Sequence, residues 1–134
     1  MAEYLCRKRF NESSEDIKTY TVGSRSLSTN YEPINSPPSA QGVQVLREDY
    51  GLDMTAHRSQ LLSAQDIADA DLIVPVKRDL GARIVAEFPE AKGKMFYLSQ
   101  DISDPWHDPV SVFRSCAQLI YSLLDEVIEE CSRR

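Results

Sequence analysis

The chain has 134 residues, of which 42% are hydrophobic, and its 21 acidic and 15 basic side chains give a formal net charge of −6. This length is typical of one domain, and the apolar content excludes a disordered chain. The acidic balance disfavours nucleic acid as a partner. No stretch approaches the roughly 20 apolar residues of a membrane span, and the chain does not start like a signal peptide. We therefore expect a cytoplasmic protein that does not associate with membranes.

Helical periodicity and end signals predict the helices in chain order. Residues 1–15 form the first. A second is predicted to begin at Ser36-Pro37-Pro38, with Ser36 as N-cap, and to stop at Gly51. Ser63 is predicted to cap a short turn. Two further helices follow from apolar residues spaced three and four apart. These residues are Leu80, Ile84, Val85 and Phe88, before Pro89, and Phe113, Cys116, Ile120, Leu123, Val127 and Cys131 at the end of the chain.

Short apolar segments predict three strands. They lie at Tyr20 and Val22, at residues 72–76 and at residues 95–98. The last two do not alternate between apolar and polar residues, which is typical of parallel strands buried on both faces. Because helices and strands alternate along the chain, we predict an α/β fold with three layers around a mostly parallel sheet. No linker divides the chain, so residues 1–134 are predicted to be a single domain.

The three cysteines, Cys6, Cys116 and Cys131, are an odd and widely spaced set. They fit neither a disulfide framework nor a zinc site. Cys116 and Cys131 share the apolar face of the last helix and are predicted to be unreactive core thiols. Three basic residues follow Cys6, and their charge would lower its thiol pKa if they lay beside it in space. No metal-ligand spacing and no Gly-rich phosphate loop is present.

The segment after the last predicted strand is the candidate site, because ligands of an open parallel sheet bind beyond the carboxyl ends of its strands. It contains two Asp-Pro steps, at Asp104 and Asp108, with Trp106 and His107 between them. Proline fixes the backbone and so orients the preceding carboxylate, which makes Asp104 a candidate proton donor. Composition alone favours turn and cap roles, with Asp108 capping the last helix. A lone histidine such as His57 more simply orders its loop by hydrogen bonding.

A series of short motifs resembles the low molecular weight protein tyrosine phosphatase family. The matching pieces are Met1-Ala2-Glu3, Val22-Gly23-Ser24, Leu46, Tyr50-Gly51-Leu52-Asp53, His57-Arg58-Ser59, Asp66-Ile67, Ala70-Asp71-Leu72-Ile73, Phe88-Pro89 and Asp101-Ile102-Ser103-Asp104-Pro105-Trp106. They cover nearly the whole chain in the order of the family. The resemblance implies a four-stranded parallel sheet of order 2-1-3-4. It also implies hydrolysis of phosphotyrosine proteins or small aryl phosphates through a cysteinyl-phosphate intermediate, with no metal or cofactor.

The resemblance implies roles for four residues. Asp104 matches the general acid that protonates the leaving tyrosine oxygen. Trp106 replaces the aromatic residue that walls the phosphotyrosine slot, so it is predicted to bind substrate. Ser24 and His57 match residues that support the phosphate loop. The departures from the family pattern are Arg25-Ser26 for the usual Ala-Gly, Gln60 for an arginine, and Val76-Lys77-Arg78 for the polar residues after the third strand.

The nucleophile of the family lies in a loop of the form Cys, five residues, Arg, and this sequence does not contain that pattern. The residue six positions after Cys6 is Glu12, and six after Cys116 is Ser122. Met1-Ala2-Glu3 matches the residues that directly follow the loop. We therefore expect an N-terminally truncated family member that lacks the central first strand and the phosphate loop, is inactive as written and is marginally stable alone.

Two hypotheses remain for such a chain: a shortened sequence of an active phosphatase, or a genuine short isoform that acts as a non-catalytic binding or decoy module. A related arsenate reductase is disfavoured because residues 70–95 contain no cysteine.

Overall fold

The computed structural model describes residues 1–13, 20–27 and 33–134. The helices are α1 (Ala2–Glu12), α2 (Ala40–Tyr50), α3 (Ala64–Asp69), α4 (Arg78–Glu87), a 3₁₀ helix (Pro89–Lys94) and α5 (Val110–Arg133). Each predicted helix is therefore present, including the short turn after Ser63. The part of the first predicted helix beyond Ser13 lies outside the described residues.

Local capping sets the ends of α2 and α3. Gly51 ends α2 with a left-handed φ of 65°, as predicted. Ser63 and Asp66 form a capping box at the start of α3. The predicted start of α2 was wrong: its N-cap is Ser39, whose hydroxyl accepts a hydrogen bond from the Gly42 N–H at 3.2 Å. A proline disfavours helical backbone at the residue before it, so Pro38 disfavours a helical Pro37, and no helix begins directly after Ser36.

The main hydrophobic core lies between α5 and the two helices α1 and α2, which both pack against it. Leu5 of α1 and Val45 and Leu46 of α2 are completely buried there. Ion pairs reinforce both contacts, with Arg9 2.6 Å from Asp125. Arg114 likewise pairs with Glu48 and Asp49 of α2. A second, smaller cluster of Ile67, Ile84 and Ala91 joins α3, α4 and the 3₁₀ helix.

Backbone pairing between extended segments is limited to single parallel bridges in the part of the chain that the structure describes. One joins Ser26 to Leu61 and the other joins Ile73 to Met95. The three predicted strands are therefore not continuous strands. Residues 72–76 and 95–98 do lie side by side in parallel, with the Ile73 carbonyl accepting from the Phe96 N–H at 2.9 Å. Pro75 lacks an N–H and cannot extend this ladder. The sheet order 2-1-3-4 stays a prediction.

Candidate active site

The acid loop, which we define as residues 101–109, forms a tight turn around its first proline. The Asp104 carboxylate is exposed, and its Oδ1 accepts a hydrogen bond from the Trp106 N–H at 3.1 Å. Pro105 is buried, and its carbonyl accepts from the Asp108 N–H at 2.8 Å. His107 completes the turn with a left-handed φ of 66°. The turn role proposed for Asp104 from composition is thus present, and it leaves Oδ2 available.

An aromatic pair forms the outer face of the acid loop. The rings of Trp106 and His107 stack with their centroids 3.9 Å apart. Trp106 keeps 40% of its surface exposed, which is high for a large apolar side chain. A flat ligand group approaching Asp104 can therefore contact the indole.

Asp108 does not cap α5, contrary to the prediction. The N-cap is Pro109, and no side chain accepts a hydrogen bond from this end of the helix. The helix begins at Val110, one residue too late for a cap at Asp108. The Asp108 carbonyl instead accepts a hydrogen bond from Gln41 Nε2 of α2 at 3.4 Å.

The beginning of α1 lies beside the acid loop. Met1, the N-cap residue of α1, lies close to Asp104 and to Cys116 of α5. The Cys116 thiol donates to the Ser103 carbonyl, with Sγ and O 3.7 Å apart. The fold therefore brings Asp104 to the amino end of a helix, where backbone N–H groups and the helix dipole favour anions.

Ser24 and His57 meet at one carboxylate, that of Glu3 in the first turn of α1. The Ser24 hydroxyl donates to Glu3 Oε1 at 2.7 Å, and Arg7 donates to Oε2 at 2.8 Å. His57 Nδ1 lies 3.8 Å from Oε1, and the ring of Tyr4 meets the imidazole edge-on. Partial burial alone would raise the Glu3 pKa, but the hydrogen bonds from Ser24 and Arg7 and the nearby imidazole lower it below its ordinary value.

Glu3 is the member of this cluster that sequence reasoning missed. Met1-Ala2-Glu3 was recognised as a family motif, but nothing in a one-dimensional pattern connects Glu3 to a serine 21 positions away. The contact depends on how α1 packs against the segment that holds Ser24.

A cavity of about 160 Å³ lies next to this cluster and is lined by Ser24, Arg25, Ser26, His57, Ser59 and Gln60. Two of the departures from the family pattern, Arg25-Ser26 and Gln60, therefore lie together in the wall of this cavity. The guanidinium of Arg25 forms an ion pair with Asp66 at 3.2 Å. Arg58 folds back on the carbonyls of Thr55 and His57. Arg25 thus uses two of its guanidinium nitrogens in contacts within the fold, whereas Arg58 uses only Nη1 in these bonds.

The cysteines are not activated nucleophiles. Burial raises the pKa of the Cys6 thiol to about 11, and the proximity of Cys131 adds to this more than Arg7 offsets it. The lowered pKa that the basic neighbours of Cys6 suggested is therefore wrong, because burial outweighs their charge. Burial also raises the thiol pKa of Cys116 and of Cys131. The described residues contain no cluster of three His, Cys, Asp or Glu side chains that could hold a metal ion.

Comparison with known proteins decides the family. The family model of the low molecular weight phosphotyrosine protein phosphatases matches residues 1–134. The chain belongs to this family. The resemblance inferred from the short motifs is thereby confirmed.

Relatives that are similar to the chain carry two kinds of name, protein-arginine-phosphatase and protein-tyrosine-phosphatase. A protein-arginine-phosphatase of Geobacillus stearothermophilus is 33% identical over 102 residues, which are 71% of this chain and 68% of that protein. The low molecular weight protein-tyrosine-phosphatase Ptp of Acinetobacter johnsonii is 27% identical over 124 residues, which cover 90% of this chain and 80% of that protein.

A crystal structure of the low molecular weight protein tyrosine phosphatase from T. tengcongensis superposes with a TM-score of 0.84 at 27% identity. The superposition covers 96% of this chain and 88% of that one. The α/β fold of the low molecular weight phosphatases is therefore established for this chain. None of the helices in the described ranges is long and apolar enough to cross a membrane.

Proposed function

We propose that residues 1–134 act as a single phosphatase-like domain that supplies the leaving-group side of a phosphotyrosine phosphatase site, with Asp104 as general acid. The observation that carries this proposal is the exposed Asp104 carboxylate beside the first turn of α1. Trp106 would contact the substrate ring, and Ser24 and His57 would support a phosphate loop through Glu3. We further propose that the protein acts in the cytoplasm.

The proposed reaction has two steps. A cysteine thiolate of a Cys-x5-Arg loop attacks phosphorus, and a sulfur–phosphorus bond forms as the bond to the tyrosine oxygen breaks. Asp104 gives its proton to that oxygen, so that neutral tyrosine leaves. A water molecule then attacks phosphorus, Asp104 takes a proton from it, and the thiolate is released.

The 134 residues as written contain no cysteine followed six positions later by arginine. We therefore expect the purified chain not to hydrolyse 4-nitrophenyl phosphate above background, since a catalytic unit without its nucleophile keeps little of its rate. A variant with Ser at Cys6, Cys116 and Cys131 is the control. Turnover that survives in this variant would contradict the mechanism.

Asp104 is tested in a completed chain, in which a strand and a Cys-x5-Arg-Ser loop without tryptophan are joined ahead of Met1. Asp104→Asn should lower kcat by about 10²–10⁴-fold, the usual contribution of a general acid. Asp108→Asn is the matched control, because its side chain caps no helix. Equal losses in both variants, or a larger loss in Asp108→Asn, would refute the assignment.

The substrate class is tested by comparing phosphotyrosine with phosphoarginine peptides in the completed chain. Both need a proton at the leaving atom, which is oxygen in one and nitrogen in the other. The exposed indole of Trp106 supports the aromatic substrate. The 33% identity to a protein-arginine-phosphatase supports the second candidate. A higher kcat/KM for phosphoarginine would change the proposed class and leave the role of Asp104 intact.

A non-catalytic binding or decoy module is the alternative, in which no Cys-x5-Arg loop accompanies residues 1–134. Translation of the transcript upstream of Met1 separates the two. An in-frame strand followed by Cys, five residues and Arg would support the enzyme, whereas a stop codon in all transcripts would support the module.

A further inference from the structure

Helix α4 begins without a cap of its own. Its N-cap residue is Lys77, whose side chain makes no capping hydrogen bond. A lysine ammonium has no acceptor, so it cannot satisfy the backbone N–H groups of a first helical turn. Lys77 also brings a positive charge to the positive end of the helix dipole, where negative charge is favourable. Within the first turn of α4 the Leu80 N–H donates to Asp79 at 2.9 Å, so it is the Arg78 N–H that needs an acceptor from elsewhere in the fold.

Asp101, the first residue of the acid loop, supplies that acceptor. Its Oδ1 accepts a hydrogen bond from the Arg78 N–H, the first of α4, at 3.0 Å. The residue after it, Ile102, also bonds to the segment at the start of α4, but as a donor: its N–H donates to the Val76 carbonyl at 2.8 Å. Ile102 is in turn only 6% exposed within the main core. The beginning of the acid loop is thus fixed to α4 by one side-chain and one backbone hydrogen bond.

Asp101 lies three residues before Asp104. On the other side, the buried Pro105 and the turn to Asp108 restrict the loop. We propose that Asp101 is a positioning residue for the phosphatase reaction: it caps α4 across the fold and thereby holds the acid loop so that Asp104 reaches the leaving atom. This inference rests on the proposed role of Asp104 as general acid.

Leaving-group dependence in the completed chain tests the proposal. Phenolate is a much stronger base than 4-nitrophenolate, so phenyl phosphate depends more on a well-placed acid. Asp101→Ala should lower kcat on phenyl phosphate about 10–100-fold, as expected for a misplaced catalytic group, and should lower kcat on 4-nitrophenyl phosphate much less. Asp101→Asn keeps an acceptor and should recover most of the rate. Asp71→Ala, which removes another exposed carboxylate, should match the unmodified chain.

A second measurement does not depend on activity. Trp106 is the sole tryptophan of the 134 residues, and its backbone N–H donates to Asp104, so its fluorescence reports on the acid loop. Acrylamide quenching should increase in Asp101→Ala toward that of the free peptide of residues 101–109, and should stay unchanged in Asp101→Asn and Asp71→Ala.

The outcomes separate the two proposals. An inactive completed chain whose Trp106 quenching follows this pattern would refute the proposed function and would still support the role of Asp101 in holding the acid loop. An active chain in which Asp101→Ala slows both substrates equally, or leaves quenching unchanged, would overturn the positioning role alone.

Discussion

Replacing Lys77 with serine separates two consequences of the Asp101 contact, the stability of α4 and the order of the acid loop. Lys77 already has the extended backbone of an N-cap, with φ −136° and ψ 148°. A serine hydroxyl at this position would accept a hydrogen bond from the second or third N–H of α4. Asp101 occupies the first N–H, that of Arg78, so both caps can be present together.

The expected magnitudes follow from capping energies. Asp101→Ala removes one acceptor and one favourable charge, which costs about 1–2 kcal/mol. Lys77→Ser gains about 0.5–1 kcal/mol, the lower part of the usual range, because the Leu80 N–H already donates to Asp79 at 2.9 Å. At about 2.1 cal/mol/K per residue, a chain of 134 residues has an unfolding entropy of about 0.28 kcal/mol/K, so 1 kcal/mol shifts Tm by about 3.5 °C. We therefore expect a loss of about 4–7 °C in the first variant and a gain of about 2–4 °C in the second.

The assay is a thermal melt followed by circular dichroism, with acrylamide quenching of Trp106 on the same samples of the completed chain. In the double variant the added serine should recover about half of the lost Tm, while Trp106 remains as accessible to acrylamide as in Asp101→Ala. If the serine restores both the Tm and the protection of Trp106, then Asp101 acts only through the integrity of α4. That result would refute the proposal that Asp101 holds the acid loop. A lower Tm in Lys77→Ser alone would mean that α4 does not begin at Arg78.

Three further predictions test the cluster at α1, the thiols and a helix end. The Glu3 pKa lies below its ordinary 4.5 in the folded chain, so its carboxylate stabilises the fold at neutral pH and this contribution is lost as the pH falls through the lowered value. Urea denaturation between pH 7 and 3 should therefore depend less on pH in Glu3→Gln, and an unchanged dependence would contradict the cluster. The Cys6 thiol, with a pKa of about 11 against an ordinary 9.0, should be alkylated by iodoacetamide at least about 10-fold more slowly in the folded than in the urea-unfolded chain, measured by mass spectrometry, because its thiolate is about 100-fold scarcer but more nucleophilic; equal rates would refute its burial. Gly51→Ala should cost about 1–2 kcal/mol in thermal melts because of its φ of 65°, whereas Gly93→Ala, also in open space but without a positive φ, should change stability by less than about 0.5 kcal/mol. Similar effects of the two substitutions would argue against the left-handed end of α2.

The helix ends show which local signals suffice and which do not. Gly51 and Ser63 were predicted correctly because a left-handed glycine and a capping box act within a few residues. Ser36 and Asp108 were predicted incorrectly as N-caps, and in both places a proline follows the polar residue. In the fold Pro109 is itself an N-cap, and α2 begins two residues beyond Pro38. Proline fixes its own φ but does not determine whether the helix has begun.

The site was predictable only where its residues are close in sequence. Asp104 and Trp106 share one turn, as their closeness in sequence indicated, and their roles in the site stay a prediction. The contact of Asp101 with Arg78 spans 23 residues, and that of Ser24 with Glu3 spans 21. These contacts depend on tertiary packing, to which hydrophobic periodicity and turn composition are insensitive. The prediction of continuous strands was wrong for a related reason: an apolar run predicts burial but does not specify which segment pairs with it by hydrogen bonds.

The packing of α1 on α5 has a consequence during protein synthesis. The two helices are joined by contacts such as that of Arg9 with Asp125, which are 116 residues apart. At about 5–20 residues per second, the ribosome needs roughly 6–23 s to make the intervening chain. During that interval the apolar face of α1, with Leu5 and Phe10, has been made but its partner helix has not. The nascent chain therefore offers a binding surface for chaperones until α5 emerges, and synonymous codons that slow translation of α5 would lengthen that exposure without changing the protein.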